Sequence, residues 1–241
     1  MKQITENIVY QLKNYFKKNN FTKAVIGVSG GVDSACTLKL GIQALGKNNI
    51  IALLLPEQGL SSDKNLIDAR NLVQSEKVKY FEIPINKFLK NYENLTWGNS
   101  KIAQMNIRAR IRMTLLYHLA NTENALVLGT GNKTEILLGY GTKYGDFAID
   151  LEPIGSLWKT EVFKLAKYLK LPEVFYTKAP TAELCQGQTD EEEIGSSYEV
   201  IDRILQNMEN NQQQTDDFKI VEKILNRVQK NKHKTQMPQV F

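Results

Sequence analysis

Apolar positions along this chain alternate between short unbroken runs and a three-to-four spacing, the pattern of buried strands interleaved with amphipathic helices. Ile8, Leu12 and Phe16 recur at helical spacing up to the Asn19-Asn20 break, which predicts a packing helix ahead of the first strand. From Val25 an apolar run breaks into Ser29, Gly30, Gly31, Val32, Asp33 and Ser34, and a helical pattern of Ala35, Leu38, Leu40, Ile42 and Leu45 follows until Gly46 stops it. Residues 50–55 are apolar without alternation, as in a strand covered on both faces, and Pro56 ends them. Ser61, Ser62 and Asp63 offer an N-cap for a helix carrying Leu66, Ala69, Leu72 and Val73, and residues 80–83 form a third strand before Pro84.

A long helix is predicted over residues 101–120, with Ile102, Met105, Ala109, Met113, Leu116 and Ala120 on one face. Asn106, Arg110 and Tyr117 line one border of that face, and Arg108 and Arg112 the other. Residues 125–128 make the next strand, which opens into a polar turn over 129–135, and residues 139–146 are too rich in glycine for an element interior. Further helices are expected over 158–169, around Tyr198, Ile201, Ile204, Leu205 and Met208, and over 218–228. A polar stretch at 187–193 and a Gln/Asn-rich linker at 210–214 lie between them. Strand–helix alternation of this kind predicts an α/β fold with a doubly wound, mainly parallel, Rossmann-like sheet flanked by helices. Its ligand site is expected at the carboxyl ends of the strands. A length of 241 residues suits one domain over 1–241.

That rim is where the most informative chemistry falls. Adjacent glycines after a strand let several backbone N–H groups converge at the positive end of the next helix, a site for phosphate, and Ser29 and Ser34 add hydroxyls. Asp33 would repel phosphate unless a divalent cation stood between them, so Mg²⁺ is implied. Asp33 also stands where a Walker A loop needs Lys, which excludes that motif. A second strand end brings Thr130 and Glu135 to the same rim. The net charge of +5 is modest, and no aromatic-rich basic stripe points to nucleic acid. Two cysteines, Cys36 and Cys185, form no CxxC pair. With no apolar run of membrane length and no signal core after Met1, the expectation is a cytoplasmic protein.

Residues 29–34 resemble the pyrophosphate-binding loop of the ATP pyrophosphatase class. Together with residues 106–110, 129–135, 141–146 and 180–184 and with His233-Lys234, in that order along the chain, they resemble the NAD synthetase family, whose fold is of the adenine nucleotide alpha-hydrolase type. The resemblance implies adenylation of the nicotinate carboxylate of deamido-NAD by ATP, release of pyrophosphate, and displacement of AMP by ammonia to give NAD. By the same resemblance Gly27, Val28, Ser29, Gly30, Gly31, Val32, Asp33 and Ser34 would hold ATP phosphates, with Thr130, Lys159 and Thr181 also on ATP and Asp33 and Glu135 on Mg²⁺. Arg110, Lys143, Asp150, His233 and Lys234 would bind deamido-NAD, and Asp146 is the candidate for holding or deprotonating ammonia. A homodimer that shares the dinucleotide site is implied, as is free ammonia, because no room for a glutaminase domain precedes Val25. Met105 stands where the family often has Gly, and the tail after Lys234 is less basic than in many relatives. Two rivals stay open at this point: another ATP pyrophosphatase such as a tRNA-modifying ligase, and a nucleotide-binding module without catalysis.

Overall fold

The computed structural model describes residues 1–93, 95–98, 100–181 and 189–240. The chain runs α1 (Lys2–Lys18), β1 (Lys23–Gly27), α2 (Val32–Leu45), β2 (Ile50–Leu54), α3 (Asp63–Ser75), β3 (Lys79–Glu82), α4 (Asn86–Leu89), α5 (Lys101–Glu123) and β4 (Ala125–Leu128). It continues through α6 (Lys133–Leu138), α7 (Lys159–Tyr168), α8 (Val174–Thr177), α9 (Asp190–Ile194), α10 (Tyr198–Glu209) and α11 (Phe218–Asn231).

Among the described residues the four strands pair in parallel in the order β3-β2-β1-β4, with Val25 opposite both Ile51 and Val127. Residues 24–26 of β1 and all of β2 are apolar and buried because helices cover both faces of the sheet. Ala24, Ile26, Ala52 and Leu54 pack with residues of α1, α2, α3 and α7, whereas Val25, Ile51, Leu53 and Val127 pack with Ile111 and Ala120 of α5. Successive side chains of β1 thus enter opposite layers, as the two-residue period of a strand requires. A third apolar cluster joins Leu138 of α6 to Ile201 and Leu205 of α10 and to Val221 and Ile224 of α11, beyond the sheet. No helix among the described residues is long and apolar enough to cross a membrane.

Two expectations are corrected. The polar turn at 129–135 ends earlier than expected, because Asn132 caps α6 and helical structure begins at Lys133. The polar stretch 187–193 contains the start of α9, whose Asp190 is buried. The apolar face of α5 is only partly buried, and Ile102 is 70% exposed. The reason is length: a helix of 23 residues extends about 34 Å, roughly twice a five-residue strand, so its first turns overhang the sheet. Cys36 is buried and unpaired, while Cys185 and residues 182–184 of the family-like segment lie outside the described residues.

Candidate active site

The chain builds β1, β2 and β3 outward and then crosses back over β1 to place β4 on the other side. Loops leaving β1 and β4 therefore diverge, and a crevice opens between them at the carboxyl ends of the strands. A cleft of about 520 Å³ occupies this crevice. One wall is the overhanging face of α5, with Ile102, Met105, Ala109, Met113 and Leu116, so the apolar stripe of this helix serves largely as the lining of the cleft.

At its floor lies the glycine loop. Gly30 takes φ +85°, and a side chain there would meet the Asn65 carbonyl of α3. The two serines hold the loop shut in this protein: the Ser34 hydroxyl donates to the Gly31 carbonyl at 3.0 Å, and Ser29 Oγ accepts the Gly31 N–H at 3.2 Å. Both loop hydroxyls thus sit among the main-chain amides that a phosphate would meet.

The chemical centre is a buried ammonium between two carboxylates. Lys159, 1% exposed at the first position of α7, places Nζ 2.6 Å from Asp33 Oδ2 and 2.9 Å from Glu135 Oε1. Asn132, fully buried, ties the pair together from the other side. Its side chain accepts the Glu135 N–H at 3.0 Å and donates to Asp33 Oδ1 at 2.8 Å. Burial raises the Glu135 carboxyl above the ordinary range, with Lys159 opposing and Asp33 reinforcing the shift. For Lys159 burial works against the charge, but the two carboxylates outweigh it and hold the ammonium protonated. Among the described residues no group of three or more His, Cys, Asp or Glu could hold a metal.

Asp190 of α9 adds a third carboxylate to the electrostatics of Lys159. The Tyr140 hydroxyl lies 2.9 Å from Asp190 and 2.8 Å from Glu193, and Tyr198 Oη lies 3.1 Å from Asp190. Asp146 faces the cleft and accepts the Thr142 N–H at 3.0 Å; the protein packed about it raises its carboxyl, and the Thr142 contact opposes that.

Of the residues singled out from the sequence, Gly27, Val28, Ser29, Gly31, Val32, Asp33, Ser34, Thr130, Glu135, Asp146, Lys159, Thr181 and Lys234 line this one cleft. Gly30 lies behind it. Arg110, Lys143, Asp150 and His233 do not line it. They are linked elsewhere: Arg110 donates to the Lys143 carbonyl at 3.2 Å, Lys143 Nζ to the His233 carbonyl at 2.9 Å, and Asp150 accepts the Val127 N–H at 2.8 Å. Lys234 Nζ donates to the carbonyls of Gly139 and Gly141, which straps the tail to the loop. Sequence reasoning passed over Asn132, Tyr140, Asp190, Tyr198 and also Arg227, which lines the cleft with its guanidinium 5.1 Å from the centre of the Tyr140 ring. Only Asn132 had a local signal, an Asn followed three residues later by Glu, which is the spacing of a capping box.

Glu152 was also missed. Its carboxylate accepts the Gly131 N–H at 2.9 Å and fills the space where side chains at Gly129 and Gly131 would stand. Burial above all pushes its pKa up to about 8, with Gly131 opposing and the charges of Glu135, Asp146 and Asp33 adding to the rise. The folded protein therefore keeps a proton between its ordinary value of 4.5 and about 8 that the unfolded chain has released, so stability falls as pH rises through that window. Glu152→Gln keeps an acceptor for Gly131 and cannot ionise. It is expected to melt higher than the parent at about pH 9 and close to it below about pH 4.5. Thermal melts at both values check this, and a variant that melts lower than the parent at the alkaline value contradicts it.

Comparison with known proteins places this geometry among relatives. Residues 4–238 match the model of a family described as NAD synthase. An NH3-dependent NAD+ synthetase from Archaeoglobus fulgidus is 42% identical over 238 residues, covering 99% of this chain and 96% of that protein. The solved NH3-dependent NAD synthetase of Campylobacter jejuni superposes with a TM-score of 0.87 at 37% identity, covering 100% of this chain and 98% of the other. An NMN synthetase from Francisella tularensis superposes with a TM-score of 0.89 at 32% identity, over 99% and 97% of the two chains.

Proposed function

The chain belongs to the NAD synthase family, and we propose that it performs the amidation in two steps within the cleft, adenylating the nicotinate carboxylate of deamido-NAD and then replacing AMP by ammonia. It is a ligase that makes NAD+ with free ammonia, in keeping with its NH3-dependent relatives. The observation that carries the two-step reading is the Asp33–Lys159–Glu135 constellation beside a glycine loop at the switch point of the sheet.

A carboxylate has no good leaving group, so it must become a mixed anhydride before an amine can displace oxygen. In the first step a carboxylate oxygen attacks the α-phosphorus of ATP, and the bond to pyrophosphate breaks. Main-chain N–H groups of residues 27–34, with the hydroxyls of Ser29 and Ser34, would hold the departing phosphates, and the Lys159 ammonium would neutralise charge as it develops. Thr130 and Thr181 stand on the same cleft as further ATP contacts. Asp33 and Glu135 fit Mg²⁺, which takes only one or two carboxylates and completes its octahedron with phosphate oxygens and water. When bound, the ion would screen the phosphate charge from the two carboxylates and activate the α-phosphate. In the second step the ammonia lone pair forms the C–N bond, the C–O bond to AMP breaks, and Asp146, which lines the cleft, would hold the ammonia or take a proton from it. Arg110, Lys143, Asp150, His233 and Lys234 are assigned to the dinucleotide. A homodimer that shares the dinucleotide site belongs to the same reading.

The test is pyrophosphate release and NAD+ formation by the purified protein with ATP, Mg²⁺ and deamido-NAD, with and without an ammonium salt. Equal yields of both products are expected, dependent on ammonium and lost with a chelator in excess over Mg²⁺. Pyrophosphate without NAD+ in the presence of ammonium would sink the assignment of the nitrogen donor. The likeness to an NMN synthetase favours a second reading, in which the mononucleotide is the better acceptor. Nicotinic acid mononucleotide assayed in parallel decides between them by kcat/KM.

A further inference from the structure

The first turn of a helix leaves N–H groups without intrahelical partners, and a chain usually supplies an acceptor from its own N-cap side chain. This protein does so with Ser62, Ser100, Asn132, Thr189 and Asp217. Helix α7, like α1, α2, α4, α8 and α10, has no side-chain cap of its own, but two residues from other helices stand in for it. Its N-cap is Trp158, whose indole has no acceptor oxygen and makes no cap hydrogen bond.

The missing acceptors come from two other helices. Thr134 of α6 accepts the Lys159 N–H at 2.9 Å, and Asp202 of α10 accepts the Thr160 N–H at 2.9 Å through Oδ2. The Thr134 hydroxyl then donates to Asp202 Oδ1, so one carboxylate holds both acceptors in place. Thr134 is wholly buried and Asp202 is 2% exposed. The residue anchored in this way is Lys159. Thr134 binds its main chain, and the next residue, Glu135, binds its ammonium. The side chain of Lys159 thus spans from a rigid main-chain clamp to the point between Asp33 and Glu135. A shift in the clamp changes the span that this side chain has to bridge.

We propose that Asp202, acting through Thr134, is a positioning residue that sets where the Lys159 ammonium meets the phosphates of ATP. The proposal rests on the reading of Lys159 as a phosphate ligand. It assigns to a buried pair outside the cleft a specific effect on ATP, distinct from a staple that merely joins three helices.

Thr134→Val keeps the side-chain shape and deletes the hydroxyl, Thr134→Ser restores the hydroxyl, and Asp202→Asn keeps the volume and removes the charge. Thr134→Val and Asp202→Asn are expected to lower kcat about 10–100-fold, because misplacement of a contact group by about 1 Å carries a cost of that order. The KM for ATP should rise while that for deamido-NAD stays within about twofold, and Thr134→Ser should recover to within about threefold of the parent. A double-mutant cycle with Lys159→Met, read on ATP affinity by calorimetric titration, separates the two roles. In the Lys159→Met background the second substitution should cost less than about twofold, because the group it positions is gone. Full kcat and unchanged ATP affinity in Thr134→Val below its melting temperature would overturn the proposal. So would equal losses in the two backgrounds. If Asp202→Asn fails to fold, the Thr134 pair decides alone. A Lys159→Met variant that binds and turns over ATP like the parent would overturn the phosphate reading itself, and the positioning role with it.

Discussion

Asp33→Asn is expected to reduce both pyrophosphate release and NAD+ formation by about a thousandfold, the range seen when a charge-stabilising group at a reacting centre is removed. The reason lies in what its two oxygens do. Oδ1 accepts the Asn132 amide and Oδ2 accepts the Lys159 ammonium, so both positions require an acceptor. An asparagine can present one oxygen only, and its NH2 must then face either another amide NH2 or an ammonium. Breaking one arm of a buried ion pair costs about 3 kcal/mol or more, although Lys159 keeps Glu135. The variant should therefore melt measurably lower and yet stay folded at assay temperature. The same change removes half of the carboxylate pair assigned to Mg²⁺. Calorimetry and the coupled pyrophosphate assay check the two effects separately, and near-parent turnover in a folded Asp33→Asn would remove the metal assignment.

Gly30→Ala should be nearly as severe for a different reason. The residue sits at φ +85°, where a side chain is strained, and a Cβ there would lie 2.1 Å from the Asn65 carbonyl oxygen and 2.9 Å from its carbon. Both neighbours are backbone, so no rotamer change relieves the clash. Either the loop or the start of α3 must move. A loss of about 3–5 kcal/mol of stability is expected, with ATP affinity reduced about a hundredfold because the loop amides no longer converge. Gly46→Ala is the control: it also has positive φ, +82°, but nothing lies within 4 Å of its added Cβ. With ψ at 147° it lies in the extended positive-φ region, so that variant should lose about 1–3 kcal/mol and keep its ATP kinetics. Urea unfolding of the two variants separates backbone strain from steric conflict, and equal losses would refute the role given to Asn65.

How far the site was legible depended on the range of each interaction. The glycine loop could be read at once, since its form rests on residues adjacent in sequence and on a strand before and a helix after it. The capping box at Asn132 was equally local, yet the same polar residues suit a turn, and only the helix that follows distinguishes the two. Asp190 offered no such cue. A polar run of acidic residues is normally solvated, and its burial depends on Tyr140 and Tyr198 arriving from other parts of the chain. The apolar face of α5 illustrates the opposite difficulty: Ile102 and Met113 have the periodicity of core residues, and nothing in a periodicity tells a core from the wall of a cleft.

The order of strands and helices, the parallel character of the sheet and the glycine loop between β1 and α2 were determined by the sequence alone, because periodicity, turn chemistry and capping act over a few residues and the topology rules for α/β units follow from them. Resemblance carried Lys159 and Glu135 into the list of site residues but could not say that they meet. Lys159 is separated by 126 residues from Asp33 and by 24 from Glu135. Only the tertiary structure brings the three together and caps α7 from Thr134 and Asp202. The physical reason is that a charge is buried only where its partners are already placed, and that placement is a property of packed helices rather than of any one segment.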